Sequence, residues 1–129
     1  MDKTKLAEFI GIMLGDGNLY KNKEKGQYAI RISGHLIDDK EYHEKFIRKL
    51  FLDIFNKELR IRCFKDGRVL YYYGKNIFNQ LLDFGLVPGN KLKNNVKIPD
   101  WIFSNKKYII SCLRGLIDIV TTNQFKSNY

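Results

Sequence analysis

The stretch Phe9-Ile10-Gly11-Ile12-Met13-Leu14-Gly15-Asp16-Gly17 decides how this chain is read. Leu6, Phe9, Ile10, Met13 and Leu14 recur at helical spacing, which predicts a short helix with an apolar stripe. Thr4 is the expected N-cap, and Gly17 is the residue type that ends helices in the left-handed conformation. Gly11 and Gly15 lie four apart on one face, where bare backbone lets a second helix approach closely. Asp16 falls at the helix C-terminus, beside carbonyls that already carry partial negative charge. A lone carboxylate is disfavoured there; one that shares a divalent cation with a backbone carbonyl is not. The same residues also read as a plain helix end with Asp16 as a turn residue.

Composition narrows the classes. With 129 residues the chain suits one domain with a real core, and its aromatic content is that of a globular protein. No apolar run reaches membrane-spanning length, and the charged N-terminus has no signal-peptide core, so a cytoplasmic setting without a membrane partner is expected. Cys63 and Cys112 have no metal-ligand spacing and read as reduced core thiols. The formal charge of +9 points to a polyanionic partner.

Beyond Gly17, Lys21 to Gly26 reads as a basic hairpin loop. Tyr28, Ile30 and Ile32 then alternate with Ala29, Arg31 and Ser33, as in a strand with one apolar face. Asp38 or Asp39 is expected to cap a helix through about Phe55, with Tyr42, Phe46, Ile47, Leu50, Phe51 and Ile54 inward. Leu59, Ile61 and Cys63 alternate with Arg60 and Arg62, and Asp66-Gly67 turns the chain into Arg68–Tyr73. A helix from Lys75 to Phe84 follows, then an irregular basic loop, then a helical region to about Ile119. This order predicts an α+β fold with one mostly antiparallel sheet and helices on its apolar face.

On the opposite face Arg31, Ser33, Arg60 and Arg62 would project, with Gln27 beside them. Arg forks onto guanine and Gln onto adenine in the major groove. Lys21, Lys23, Lys25, Lys65 and Arg68 lie in or beside the strand connections, within reach of phosphates. Of the tyrosine run, Tyr72 is assigned to DNA, while Tyr71 and Tyr73 pack. His35 and His43 read as structural histidines, and Trp101 as a core anchor.

Gly11-Ile-Met-Leu-Gly-Asp-Gly17 resembles the signature of the LAGLIDADG homing endonucleases, and the order of elements is similar to that family's domain. The resemblance implies a homing-endonuclease-like αββαββα domain over residues 1–104, with an antiparallel saddle-shaped sheet, helices on one face and an extra C-terminal helix. It implies a sequence-specific, double-stranded DNA endonuclease whose phosphodiester hydrolysis depends on Mg²⁺ or another divalent cation, with no small-molecule cofactor. Asp16 falls on the metal-binding acid and Gly15 on the position whose carbonyl helps hold the metal. Lys91, and after it Lys93, would be the supporting cation, each alternatively a phosphate contact. An intron- or intein-associated origin also follows from the resemblance.

Leu113-Arg114-Gly115-Leu116-Ile117-Asp118 matches the signature a second time, but Val120 stands where Asp16 does and Thr121 where Gly17 does. Residues 105–129 are therefore expected to be the start of a second, truncated repeat. With one acid per chain, cleavage would need a homodimer paired through Gly11 and Gly15, preferring near-palindromic DNA. Alternatively Gly115 packs against α-helical Gly11 within one chain, giving a catalytically inactive DNA-binding remnant of a two-repeat enzyme.

Overall fold

Helix α1, Lys3–Asp16, is the element on which the other layers pack. A computed structural model of the protein describes residues 1–89 and 97–127, with side chains through Ile117. Leu6, Ala7, Phe9, Ile10, Ile12 and Met13 are all buried, so α1 is apolar around most of its girth. Such a helix must be covered on several sides. Its cap is Asp2, whose carboxylate accepts the Thr4 and Lys5 amides at 3.0 and 3.2 Å; Thr4 itself lies inside the helix. At the other end Gly17 is extended (φ −92°), not left-handed, and passes the chain straight into a strand. Glycine is needed there for space, because a Cβ would lie 2.6 Å from the Met13 Cα.

Strands β1 (Gly17–Asn22), β2 (Gln27–Gly34), β3 (Arg60–Cys63) and β4 (Arg68–Tyr73) form one antiparallel sheet in the order β1-β2-β4-β3. Between β2 and β3 the expected long helix is divided. A π-helical segment, Tyr42–Ile47, leads into helix α2, Arg48–Phe55, which ends at a left-handed Asn56. Asp39 stands immediately before the helical run: its carbonyl accepts the His43 amide at 2.8 Å, and its carboxylate accepts the His35 amide at 2.6 Å. Helix α3, Lys75–Asp83, closes the second strand pair, and Gly85 (φ +105°) turns the chain away from it. Trp101 sits in a short 3₁₀ turn, Asp100–Ser104, its indole N–H donating to the Phe84 carbonyl at 2.7 Å. The core lies between the sheet and the helices: Phe9 meets Phe51 at 5.5 Å and Phe55 at 6.1 Å, ring centre to ring centre. The fold is α+β with an open four-stranded sheet, as the alternation in the sequence predicts.

The last element, helix α4 (Lys106–Ser127), packs along α1. It runs past Ile119, the end read from sequence, because no glycine stops it. The two helices meet at backbone distance. A Cβ on Gly11 would overlap the Cys112 carbonyl oxygen and lie 3.2 Å from the Leu116 amide nitrogen. A Cβ on Gly115 would overlap the Glu8 carbonyl oxygen and lie 2.9 Å from the Ile12 amide nitrogen. The contacts are reciprocal: each glycine presses on the carbonyl three residues before the other and the amide one residue after it. The Gly11 side of α1, assigned from sequence to a second chain, is filled by α4 of the same chain.

A methyl group at either glycine is expected to force the helices apart. Gly11→Ala and Gly115→Ala should each cost about 1–3 kcal/mol or more in chemical denaturation. The cysteines give a second check. Cys63 is exposed, whereas burial covers Cys112 and pushes its thiol pKa up, leaving less of the reactive thiolate. A thiol reagent should modify Cys63 promptly and Cys112 only as the protein unfolds.

Candidate nucleic-acid interface

Strand register sorts every sheet residue onto one of two faces, since opposed residues share a face. One row across the open face is Asn18, Arg31, Tyr71 and Arg60, each directly opposite the next. Beside it lie Ser33, Val69 and Arg62 on one side, and Tyr20, Ala29 and Tyr73 on the other. Asn22 and Gln27 complete the face at the hairpin end. None of the four strands contains Asp or Glu, so no acid within the sheet offsets these arginines. The Arg31 guanidinium sits 4.4 Å over the Tyr20 ring, which holds its long side chain against the sheet. Lys23 and Lys25 lie exposed in the β1–β2 turn, and Lys65 in the β3–β4 turn. Lys21 pairs with Tyr28 and is exposed at the sheet's end.

Three residues assigned to DNA from sequence point the other way: Lys21, which shares the Tyr28 side of the sheet while staying exposed, and Arg68 and Tyr72, which pack against the core. Arg68 shares its face with Leu70 and Tyr72 and is 3% exposed. Its guanidinium donates to the Leu36 carbonyl at 3.2 Å and to Glu44 at 3.1 Å. It ties the π-helical segment to the sheet and does not reach phosphates. Tyr72 packs inward on Phe51, 5.6 Å between ring centres, while Tyr71 and Tyr73 take the open face. Val69 and Leu70 are both apolar, so the strand's own pattern leaves its faces open; pairing of Leu70 with buried Ile32 sends residues 68 and 72 inward with it. Asn18, Tyr20, Asn22, Tyr71 and Tyr73 were missed on the same account.

The acid-bearing tip adjoins this face. Asp16 is the last residue of α1 and half-exposed, Gly15 before it is exposed, and Asn18, the first member of the arginine row, follows two residues later. The Gly89 amide donates to the Leu19 carbonyl at 3.0 Å, and the Asn18 side-chain amide to the Gly89 carbonyl at 3.4 Å. The basic loop after α3 therefore starts beside the first residues of β1. Lys91 and Lys93, two and four residues on, lie outside the described residues. Counting five residues from each interface glycine gives Asp16 on α1 and Val120 on α4. Among the described residues no three His, Cys, Asp or Glu side chains gather into a metal cage. One carboxylate with a neighbouring carbonyl is an all-oxygen donor set. It fits a hard cation that keeps most of its shell as water and substrate phosphate, as Mg²⁺ does.

No family profile matches the chain. Among solved structures it superposes on the homing endonuclease I-DmoI. Mesophilic variants of that enzyme match with a TM-score of 0.64 at 20% identity, over 88% of this chain and 59% of theirs. I-DmoI in complex with DNA and Mn gives 0.64 at 20% identity, over 88% of this chain and 60% of that one. Its complex with DNA and Ca gives 0.62 at 20% identity, over 88% and 56%. The fold is that of a homing endonuclease. Among curated proteins, the replication factor C small subunit of Methanocaldococcus jannaschii is 32% identical over 134 residues, covering 95% of this chain and 7% of that protein. The chain thus spans about three fifths of the I-DmoI chains and a small part of the archaeal protein.

Replacing Arg60 and Arg62 together by alanine should weaken DNA binding and flatten its dependence on log salt, by about 0.9 for each phosphate no longer neutralised. Arg68→Ala should instead lower stability, by about 1–3 kcal/mol, by leaving the Leu36 carbonyl and Glu44 without their donor. Anisotropy titrations beside thermal melts separate the two effects.

Proposed function

We propose that this protein is a double-stranded-DNA-binding unit of the LAGLIDADG homing-endonuclease type, with Asp16 as its metal-binding acid. The observation that carries this reading is continuity: the helix tip bearing Asp16 runs directly into β1, whose Asn18 opens the row continued by Arg31, Tyr71 and Arg60. The I-DmoI complexes with DNA and with Mn or Ca lend the fold a DNA partner and a divalent ion. Residues 1–104 would form the DNA-reading unit and 105–129 the start of a second repeat. The alignment to 7% of a protein named as a replication factor suits a unit carried inside a host gene, as intron- and intein-associated endonucleases are.

In that role the basic turns hold phosphates while Arg31, Arg60, Arg62 and Gln27 meet base edges. The Asp16 carboxylate and the Gly15 carbonyl would hold Mg²⁺ or a similar ion. Such an ion supplies charge stabilisation at the scissile phosphate and lowers the pKa of an attacking water. Lys91, two residues after Gly89 in the sequence, would place a positive charge near the same phosphate. Since α4 fills the Gly11 side of α1, a single chain already carries the helix pair, but with one acid. Another Asp16 would have to come from a second chain, and pairing through Gly11 would require α4 to leave that side of α1.

A second reading has its own support. Val120 at the position matching Asp16 favours a DNA-binding remnant that does not cut.

The two part in one experiment. A randomised duplex library is incubated with the protein in Mg²⁺, beside Asp16→Asn. Cuts made by the native chain and absent with the variant, while binding persists in both, support the nuclease. Binding without cuts in either supports the remnant.

A further inference from the structure

We propose that the open sheet face also binds an unpaired nucleic-acid strand, by stacking separate exposed bases against Tyr73 and against Phe64, beside the Arg31 and Arg62 guanidiniums. The inference concerns the face already described, but needs neither Asp16 nor a metal.

The face is richer in aromatic surface than duplex recognition calls for. A cleft of about 340 Å³ opens on it, walled by Phe64, Tyr71 and Tyr73 and flanked by Arg31 and Arg62. Phe64 is 53% exposed and Tyr73 55%, and the open-face register puts Tyr73 beyond the end of β3, where no strand neighbour covers it on that side. Phe64, Tyr71 and Tyr73 line one cleft together, and a contiguous apolar patch, unlike a single exposed ring, marks a binding surface. In a duplex every base is sandwiched by its neighbours and shows the grooves only its edges, which hydrogen-bond donors read and aromatic rings do not. An unpaired base offers its flat face, and a ring beside a positive charge is what takes it.

The surroundings continue the pattern. On one side of Tyr73 a second cleft, about 680 Å³, is lined by Lys23, Gln27 and Lys75. On another side, at the β3 edge, a cleft of about 690 Å³ is lined by Arg48 and Arg60 together with the Glu58 carboxylate, so its charge is mixed. Tyr73 borders all three clefts. A strand passing from the Lys23 and Lys75 side, over Tyr73, to Arg31 and Arg62 would meet cations, then a ring, then cations again. Tyr71 stands edge-on to Tyr73, 5.5 Å between ring centres, and braces it. DNA and RNA strands share the features this site recognises.

The test uses the full chain in EDTA with labelled oligothymidylate and oligouridylate of about 15 nucleotides, within the span such surfaces occupy, and a mixed-sequence duplex. Anisotropy should show single-strand binding. Tyr73→Ala and Phe64→Ala should each weaken it by about 5–100-fold, the loss expected when one stacked base loses its ring. Tyr73→Phe should restore it, since stacking needs the ring and not the hydroxyl. Both side chains are exposed, so circular dichroism and melting should be unchanged in every variant. Binding of one oligonucleotide alone would name the source, DNA or RNA; binding of both would support the shared chemistry. Single-strand affinity that survives Tyr73→Ala, or that Tyr73→Phe fails to restore, overturns the proposal. So does a protein that binds duplex but neither strand, a result that leaves the duplex reading standing. Failure to bind any of the three would remove both.

Discussion

The close crossing of α1 and α4 governs the rest of the molecule. At most helix contacts, side-chain tips meet and can rotate to absorb a misfit. At Gly11 and Gly115 each backbone faces the other's carbonyl, and nothing there can rotate out of the way. The crossing therefore sets the position of α1 tightly. Because α1 passes into β1 through Gly17 with no intervening loop, it also sets where the sheet begins. The placement of Asp16 relative to the arginine row follows from that one joint.

The sheet then divides labour between its faces. Inward, Ile30, Ile32, Leu70 and Tyr72 meet α1 and α2, with Phe9, Phe51 and Phe55 as an aromatic centre. Arg68 is the inward charge, and it is compensated twice, by a backbone carbonyl and by Glu44. An uncompensated charge at that depth would not survive folding, so the cation count of the sequence overstates the basic surface. Outward, Arg31 meets the Tyr20 ring instead of a carboxylate, which keeps its charge available. Elsewhere cations are consumed locally: Lys49 first, and Lys5 with it, hold the Asp53 carboxyl below the usual carboxylate range where α1 and α2 lie side by side.

Much of this was legible in the chain. The alternation Tyr28-Ala29-Ile30-Arg31-Ile32-Ser33 gave β2 and its faces, and the apolar run to Asp16 gave α1. Where the sequence misled, a competing contact had decided the matter. Arg68 looked like a turn cation until parity with Leu70 turned it inward. The tyrosine run has no apolar alternation of its own, so only pairing with β2 assigns its faces. Asp2 outcompeted Thr4 as a cap by reaching two amides at once. The π-helical stretch from Tyr42 left no trace that spacing alone could reveal, since its stripe fits an ordinary helix equally well. The partner of Gly11 was open between a second chain and Gly115; tertiary packing selects the latter.

The reciprocity of that joint carries a further meaning. Two helices meet as equals at their glycines, yet what leaves them differs: α1 hands over to a strand at Gly17, while α4 runs on to Ser127 with Thr121 at the matching place. Among the described residues, one wing hangs from a hinge that is symmetrical in itself. The two sides of the joint are thus inequivalent: a sheet edge continues one helix, and the other simply extends.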